Sequence, residues 1–96
     1  MTTDVGQLIE QDAAIAGGRP CLAGTGMPVS QMAVHYKAGE SPSQILQRFP
    51  HLDLARIHAA IAYYLANHER IDAELQADER EFQAARKAQK LAQRSA

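Results

Sequence analysis

The sequence is poor in the residues that form disulfides and aromatic clusters, and it has no long apolar run. Its 96 residues include one cysteine, no tryptophan and 5% aromatic residues. The single cysteine, Cys21, cannot close a disulfide within the chain, which favours a reducing location. No apolar run approaches the ~20 residues of a membrane span, and no signal segment opens the chain. We therefore expect a cytoplasmic protein with an aliphatic core and no membrane contact.

Metal, cofactor and catalytic sites also lack their usual spacing. No two histidines stand three or four residues apart, and no Cys-x-x-Cys motif is present. The glycines of residues 17–26 do not form a common phosphate-binding loop, because neither Gly-Lys-Ser/Thr nor G-x-G-x-x-G is spelled out. Carboxylates concentrate in a charged C-terminal stretch, where solvent would surround them. We expect neither an enzyme nor a metal- or cofactor-binding protein.

Charge is spread unevenly along the chain. The net charge of −1 does not by itself indicate a nucleic-acid-binding protein. Residues 13–68 are mildly basic, with Arg19, Lys37, Arg48 and Arg56 against Glu40 and Asp53. Most of the acidic residues follow, namely Glu69, Asp72, Glu74, Asp78, Glu79 and Glu81. From residue 82 onward every charged side chain is basic. A mildly basic body therefore precedes an acidic and then basic tail.

Glycine and proline concentrate in residues 16–29, which excludes a regular helix there. Short apolar pieces at residues 20–23 and 27–29 flank Gly24-Thr25-Gly26, and this pattern predicts a small β-ribbon. Residues 5–9 fit either an extended segment or a helical turn. Because an isolated ribbon is only marginally stable, we expect it to dock on the helices or on another subunit.

Three helices are predicted next. Apolar residues repeat at helical spacing over residues 29–36, and Gly39 provides a C-terminal stop. Residues 41–44 (Ser-Pro-Ser-Gln) have the form of a capping box with proline at the first helical position. Pro50 ends this second helix, and Asp53 is a good N-cap for a third. Two short helices, a turn of about four residues and a third helix fit a helix-turn-helix and an ordinary three-helix bundle equally well.

The third helix has no stop signal, because no glycine or proline occurs from Ile57 to the C-terminus. Along this helix, a series of mainly apolar residues is spaced alternately four and three positions apart, which is the spacing of a heptad seam. The seam consists of Ile57, Ile61, Tyr64, His68, Ile71, Leu75, Asp78, Phe82, Ala85 and Gln89. A domain this small cannot cover the apolar face of so long a helix along its whole length. The helix must therefore pair with a second copy, fold back after a break near Asn67, or lie on another protein.

A helix-turn-helix would direct the start of its third helix into the DNA major groove. Arg56 would then reach a base edge, while Arg48 and Lys37 neutralise phosphates and Arg19 adds a contact from the ribbon. So few charges would need a dimer for useful affinity. A solvated helix face explains Arg56 equally well.

Three motifs occur in an order typical of a known family. Residues 15–29, IAGGRPCLAGTGMPV, resemble the Gly-Gly-Lys/Arg-Pro and Gly-Thr-Arg-Ile-Pro-Val signature of the domain of unknown function 433 (DUF433) family. Residues 38–46 and the Phe-Pro-His-Leu of residues 49–52 resemble the segments that follow it. The resemblance runs from about residue 8 to residue 68. It departs at Gly26, where the family usually has a basic residue, so one basic contact expected from the ribbon is missing.

The resemblance implies a mainly α fold, in which a three-helix, helix-turn-helix-like domain with a short N-terminal β-ribbon occupies residues 5–68. Beyond the resemblance, the residues themselves predict a long charged helical tail over residues 69–96, which either binds a partner or is partly disordered. Family members are similar to VapB-type antitoxins, which implies a homodimer that neutralises a PIN-like ribonuclease toxin of a type II toxin–antitoxin pair. Operator binding would add double-stranded DNA as a partner.

The tail has the composition of a segment that folds on its partner. We expect it to contact the toxin through apolar and acidic side chains, namely Ile71, Leu75, Phe82, Glu74 and Asp78. The acids would face the basic substrate groove of the ribonuclease. Two other functions stay open: a homo-oligomeric interaction module, and a general DNA-binding regulator without a toxin.

Overall fold

The computed structural model of the chain describes residues 4–94, and within them it shows a mainly helical fold with a small antiparallel sheet. The two strands are β1 (Ile9–Glu10) and β2 (Cys21–Leu22). The four helices are α1 (Val29–Lys37), α2 (Pro42–Arg48), α3 (Leu54–Ala66) and α4 (His68–Arg94). Short 3₁₀ turns at Val5–Leu8 and Ala16–Gly18 precede the two strands. The predicted mainly α class with a short N-terminal β element is confirmed.

The sheet differs in its pairing from the predicted ribbon. Strand β2 forms its regular antiparallel ladder with β1, a segment whose conformation the sequence left open. The predicted second arm lies along the other side of β2, where the Leu22 N–H donates to the Met27 carbonyl and the Val29 N–H to the Pro20 carbonyl. The turn between the arms includes Gly26 at φ +71°, a left-handed conformation that glycine adopts without strain.

Helix α1 ends where Gly39 was predicted to stop it. Gly39 has φ +88°, and its N–H donates to the Tyr36 carbonyl. The Glu40 N–H donates to the His35 carbonyl, which completes a Schellman motif. These bonds satisfy carbonyl groups that the helix end would otherwise leave unpaired.

Helices α2 and α3 begin at their predicted caps. The Ser41 hydroxyl accepts from the Gln44 N–H, and the Gln44 side chain accepts from the Ser41 N–H, so the capping box is confirmed. The Asp53 carboxylate accepts from the Arg56 N–H at 2.8 Å and caps α3. The chain leaves helical geometry at Phe49, directly before Pro50.

The core is aliphatic and brings every described helix together. Helix α3 lies at its centre, against α1, α2, α4 and the sheet. The fully buried aliphatic side chains include Leu22, Val29, Met32, Ile45, Ile57 and Ile71. Burying one side chain of this size contributes roughly 1.5–3 kcal/mol to the free energy of folding. Since Ile71 belongs to α4, the core extends beyond the three helices that were predicted to form it.

The helical conformation is interrupted at Asn67, between α3 and α4. This residue leaves helical geometry, and its side-chain amide donates to the Tyr63 carbonyl at 3.0 Å. Helix α4 then turns back against α1 and α3. Of the three arrangements left open for the long helix, the structure shows the break near Asn67. The seam residues Ile57, Tyr64 and Ile71 therefore meet inside one core.

Helix α4 extends well beyond the core. Its 27 residues span about 40 Å at 1.5 Å per residue, and the longest dimension of the molecule is 61 Å. We call residues 68–78 its inner half, which includes the buried and half-buried residues. We call residues 79–94 its outer half, in which every side chain from residue 79 to residue 92 is exposed.

Candidate partner-binding surface on helix α4

The inner half of α4 is anchored to the domain by an apolar contact and a polar one. Ile71 is fully buried, and Leu75 packs against the core beside it. The Asp72 carboxylate accepts from the Lys37 ammonium at 3.0 Å and from the Tyr64 hydroxyl at 2.9 Å. The Lys37 ammonium, and then the Tyr64 hydroxyl, lower the pKa of Asp72. Burial, followed by Asp72, raises the pKa of Tyr64.

A second ion pair marks the point at which α4 leaves the domain. Both terminal guanidinium nitrogens of Arg19 donate to the two carboxylate oxygens of Asp78, each at 2.7 Å. The Arg19 hydrogen bond lowers the pKa of Asp78, and Asp78 raises the pKa of Arg19. The 3₁₀ turn Ala16–Gly18 directly precedes Arg19.

The four basic residues predicted to contact DNA are all engaged within the chain. Each has a carboxylate partner, in the pairs Arg19–Asp78, Lys37–Asp72, Arg48–Glu40 and Arg56–Asp53. Two of these partners, Asp72 and Asp78, lie on α4, which was predicted to be a separate tail. The pairs neutralise much of the positive charge that a phosphate contact would use. The structure thus gives each of these side chains a contact inside the domain.

Arg56 in particular joins α3 to the ribbon. Its Nε donates to the Ala23 carbonyl at 2.9 Å, and one terminal nitrogen donates to Asp53, the cap of the same helix. The Arg56 backbone N–H, more than its side chain, lowers the pKa of Asp53. These bonds hold the guanidinium against the loop that contains Ala23 and Gly26.

Glu40 was not among the residues predicted to form a site. One carboxylate oxygen lies 2.6 Å from Nδ1 of His35, and the other accepts from Nε of Arg48 at 2.9 Å. The His35 contact, followed by Arg48, lowers the pKa of Glu40. The His35 ring also packs edge-on against Phe49 at a centroid distance of 5.2 Å. Glu40 thus connects the end of α1 with the end of α2.

Four of the five residues predicted to bind the partner are used within the chain. Ile71 is in the core, Leu75 packs on it, and Asp78 holds Arg19. Glu74 lies 3.8 Å from Arg70, and its second carboxylate oxygen is buried without a hydrogen-bond partner. The predicted domain boundary after residue 68 therefore falls inside the packed region. Uninterrupted exposure of the side chains begins at residue 79 and continues to residue 92.

Phe82, the fifth predicted partner-binding residue, is 60% exposed and lies one turn beyond Asp78. Within the part of the chain that the structure describes, no ion pair involves residues 79–92. This stretch carries Arg80, Arg86, Lys87 and Lys90. The cations that have no carboxylate partner therefore lie on the outer half of α4, whereas the cations of the domain are paired.

An apolar groove of about 440 Å³ lies between α3 and the N-terminal segment, on a different part of the molecule. Its lining includes Val5, Ile9, Pro20, Ala59, Ala62 and Tyr63. No sequence pattern predicts this groove, because its walls come from residues that are distant in sequence and have no shared periodicity. Cys21 is fully buried nearby in the sheet, and desolvation raises the pKa of its thiol.

Residues 4–94 contain neither a metal-binding cluster nor a helix that could cross a membrane. No group of three or more histidine, cysteine, aspartate or glutamate side chains in this range is placed to hold a metal ion. No helix in the same range combines the length and the apolar character that a bilayer span needs.

The fold and the surface define a small, mainly helical domain with a two-stranded antiparallel sheet and an extended C-terminal helix. The chain belongs to the DUF433 family, described as a protein of unknown function, whose model matches residues 9–64. Helix α4 begins beyond this matched region.

A solved structure and a curated relative agree with that assignment. A crystal structure of a DUF433 member protein from Anabaena variabilis ATCC 29413 is similar, with a TM-score of 0.67 and 27% sequence identity. The match covers 73% of this chain and 69% of that chain. The uncharacterized protein y4eO of Sinorhizobium fredii (strain NBRC 101917 / NGR234) is 34% identical over 61 residues. That match covers 64% of this chain but 28% of y4eO, so the chain matches a minor part of that relative's length.

Proposed function

We propose that this chain is an antitoxin-like binding protein, in which the DUF433 domain anchors α4 and the outer half of α4 binds a PIN-like ribonuclease toxin. The observation that carries the proposal is the contrast between the two halves of this helix. The inner half is held by Ile71 and by two ion pairs with the domain. The outer half is exposed from residue 79 to residue 92.

The outer half has a physical reason to bind a partner. An isolated helix of about 12–15 residues is marginally stable in water, and most helices gain their stability from tertiary packing. Arg86 and Lys90 stand four residues apart, so their like charges also repel along the helix. Phe82 offers an aromatic side chain that an apolar pocket could bury. A helix-in-groove contact would supply both the packing and the missing negative charge.

The contact surface in this proposal differs from the predicted one in its charge. Asp72 and Asp78 already bind cations of the domain, so they are poor candidates for contacts with a basic groove. Among the described side chains of residues 79–92, four cations outnumber two acids, Glu79 and Glu81. We therefore expect the toxin to present an acidic surface beside an apolar pocket for Phe82.

The test is co-purification of the untagged chain with the tagged PIN-like product of a neighbouring gene. We expect a stable complex, and we expect Phe82→Ala to weaken it by about 1–2 kcal/mol, as for an interface aromatic side chain. Leu65→Ala is the matched control, since Leu65 is 53% exposed on α3. Loss of the complex with Leu65→Ala but not with Phe82→Ala would place the contact elsewhere. Failure of the unaltered chain to bind would overturn the proposal.

DNA binding is a second proposal, in which α2 and α3 act as a helix-turn-helix. The two helices are joined by residues 49–53, and Arg56 lies in the first turn of α3. Its support is smaller, because the four expected contact residues are paired with carboxylates. Retention on operator DNA that falls steeply with salt, and that Arg56→Ala reduces, is the expected result. Retention that is independent of salt would contradict phosphate contacts.

A further inference from the structure

We propose that the apolar groove between α3 and the N-terminal segment binds an extended peptide of a partner protein, which adds a strand to the free edge of β1. The peptide carries a central apolar residue flanked by basic residues. In strand addition, backbone hydrogen bonds to a sheet edge hold the peptide, and pockets for alternate side chains select its sequence. No residue of the outer half of α4 lines this groove, so the proposal does not depend on the toxin.

Strand β1 forms the open edge of the sheet. It pairs with β2, and the far side of β2 is covered by the second arm of the ribbon. Ile9 lies opposite Leu22 in this pairing. The next bond of the ladder runs from the Ala23 N–H to the Leu8 carbonyl. Because bonding directions alternate along an antiparallel strand, the N–H and carbonyl groups of Ile9 point away from β2. Within residues 4–94, neither group has a hydrogen-bond partner in another segment.

The groove lies where an added strand would place a side chain. Ile9 and Pro20 line it from the sheet, and Ala59, Ala62 and Tyr63 line it from α3. Whether the added strand is parallel or antiparallel, the residue opposite Ile9 has its side chain on the same face as Ile9. That peptide residue therefore inserts its side chain between the sheet and α3. A volume of about 440 Å³ has room for an apolar side chain of the size of leucine or phenylalanine.

The charge beside the groove is negative, and it favours a basic peptide. Residues 4–18 contain three acids, Asp4, Glu10 and Asp12, and no basic residue. Each of the three carboxylates accepts a backbone N–H, but none belongs to an ion pair of the described chain. A lysine or arginine on either side of the inserted apolar residue can therefore pair with a carboxylate that has no cation partner.

The same charges exclude a second copy of this chain as the occupant. Pairing β1 with β1 of another copy would bring the three acids of each chain together, and like charges on neighbouring strands are destabilising. The unpaired cations of the chain lie on the outer half of α4, which is helical, whereas pairing with Ile9 needs an extended backbone. The geometry and the charge of the groove thus fit an extended basic segment of a different protein.

Selection from a displayed library of random heptapeptides, on the full chain, tests the proposal. We expect the selected peptides to share a central apolar residue flanked by lysine or arginine. For the synthetic form of a selected peptide, Ala62→Phe should weaken binding by at least about tenfold, because it fills the groove. Ala62 is exposed, so the thermal midpoint of this variant should match that of the unaltered chain. Ala55→Phe, at an exposed alanine of α3 outside the lining, is the matched control and should bind normally.

Two further measurements test the charge and the strand pairing. Glu10→Gln and Asp12→Asn keep the backbone acceptors, and each should weaken binding by about two- to fivefold, as should added salt. Amide exchange followed by NMR should show that the peptide slows exchange at Ile9, whose N–H gains an acceptor.

Four results would each overturn the proposal. They are selected peptides that are acidic or share no pattern, binding that Ala62→Phe leaves unchanged, an Ile9 amide whose exchange the peptide does not slow, and a chain that dimerises with Ile9 already protected. The third result would indicate a ligand that occupies the groove without pairing with β1, and the fourth would indicate a second copy as the occupant.

Discussion

Arg19 and Asp78 are 59 residues apart in sequence, yet they form a two-point ion pair in which both nitrogen–oxygen distances are 2.7 Å. Arg19 belongs to the loop before β2, and Asp78 is the last residue of the inner half of α4. The pair therefore joins the N-terminal ribbon to the C-terminal helix. It also connects a residue predicted to bind DNA with a residue predicted to bind a protein partner.

The first prediction concerns the strength of this ion pair. Arg19→Ala and Asp78→Ala should each reduce stability, and a double-mutant cycle should give a coupling energy of about 0.5–1 kcal/mol. The value is modest because the two side chains are 31% and 42% exposed. Urea denaturation of the four proteins measures it. Strict additivity of the two single substitutions would show that the pair contributes nothing to docking α4.

The second prediction contrasts two apolar residues of α4. Ile71→Ala should destabilise the domain by about 2–5 kcal/mol, because it leaves a cavity in the core. Phe82→Ala should change stability by less than about 1 kcal/mol, because its side chain is 60% exposed. Thermal or urea denaturation distinguishes them. Similar losses for both variants would mean that the outer half of α4 packs on the domain.

The third prediction concerns the start of α3. Asp53→Ala should cost about 1 kcal/mol, because it removes the carboxylate that caps the helix. Asp53→Asn should retain most of that stability, since an asparagine side chain can also accept from the Arg56 N–H. Equal losses for both variants, measured by urea denaturation, would assign the effect to the ion pair with Arg56 instead of the cap.

The fourth prediction concerns acid. The pKa of Asp78 is lower in the folded chain than the usual value of about 4 for an unfolded aspartate. Its ion pair therefore stabilises the fold above that value, and the contribution disappears as the pH falls through the folded pKa. The urea midpoint should decrease on acidification below about pH 5. Asp78→Asn should show a smaller decrease, and an unchanged acid profile would contradict the role given to this pair.

The local features of the fold could be predicted from the sequence because they depend on neighbouring residues. The capping box at Ser41 and Gln44, the cap at Asp53 and the stop at Gly39 each involve contacts within five residues. Backbone sterics and local hydrogen bonds decide such features.

The pairing of β2 and the docking of α4 depend on residues distant in sequence. The partner of β2 is β1, which lies more than ten residues earlier. Strand β1 has only two residues, and these two residues do not by themselves predict a strand. The heptad spacing predicts one apolar seam, and its members Ile57, Tyr64 and Ile71 do share the core, whereas Phe82 is 60% exposed. Spacing alone does not distinguish a continuous helix from one interrupted at Asn67. Only the packed structure shows that Asp72 and Asp78 bind cations of the same chain, which moves the candidate surface to the outer half of α4.

Hydrogen–deuterium exchange of the full chain, alone and with the PIN-like toxin, tests the proposed binding surface most directly. In the chain alone, amides around Ile71 should exchange slowly and amides in residues 79–92 faster, because only the inner half is packed. The toxin should then slow exchange in residues 79–92 and leave the start of α3 unchanged. Protection at α2 and α3, with residues 79–92 exchanging as fast as before, would contradict the account.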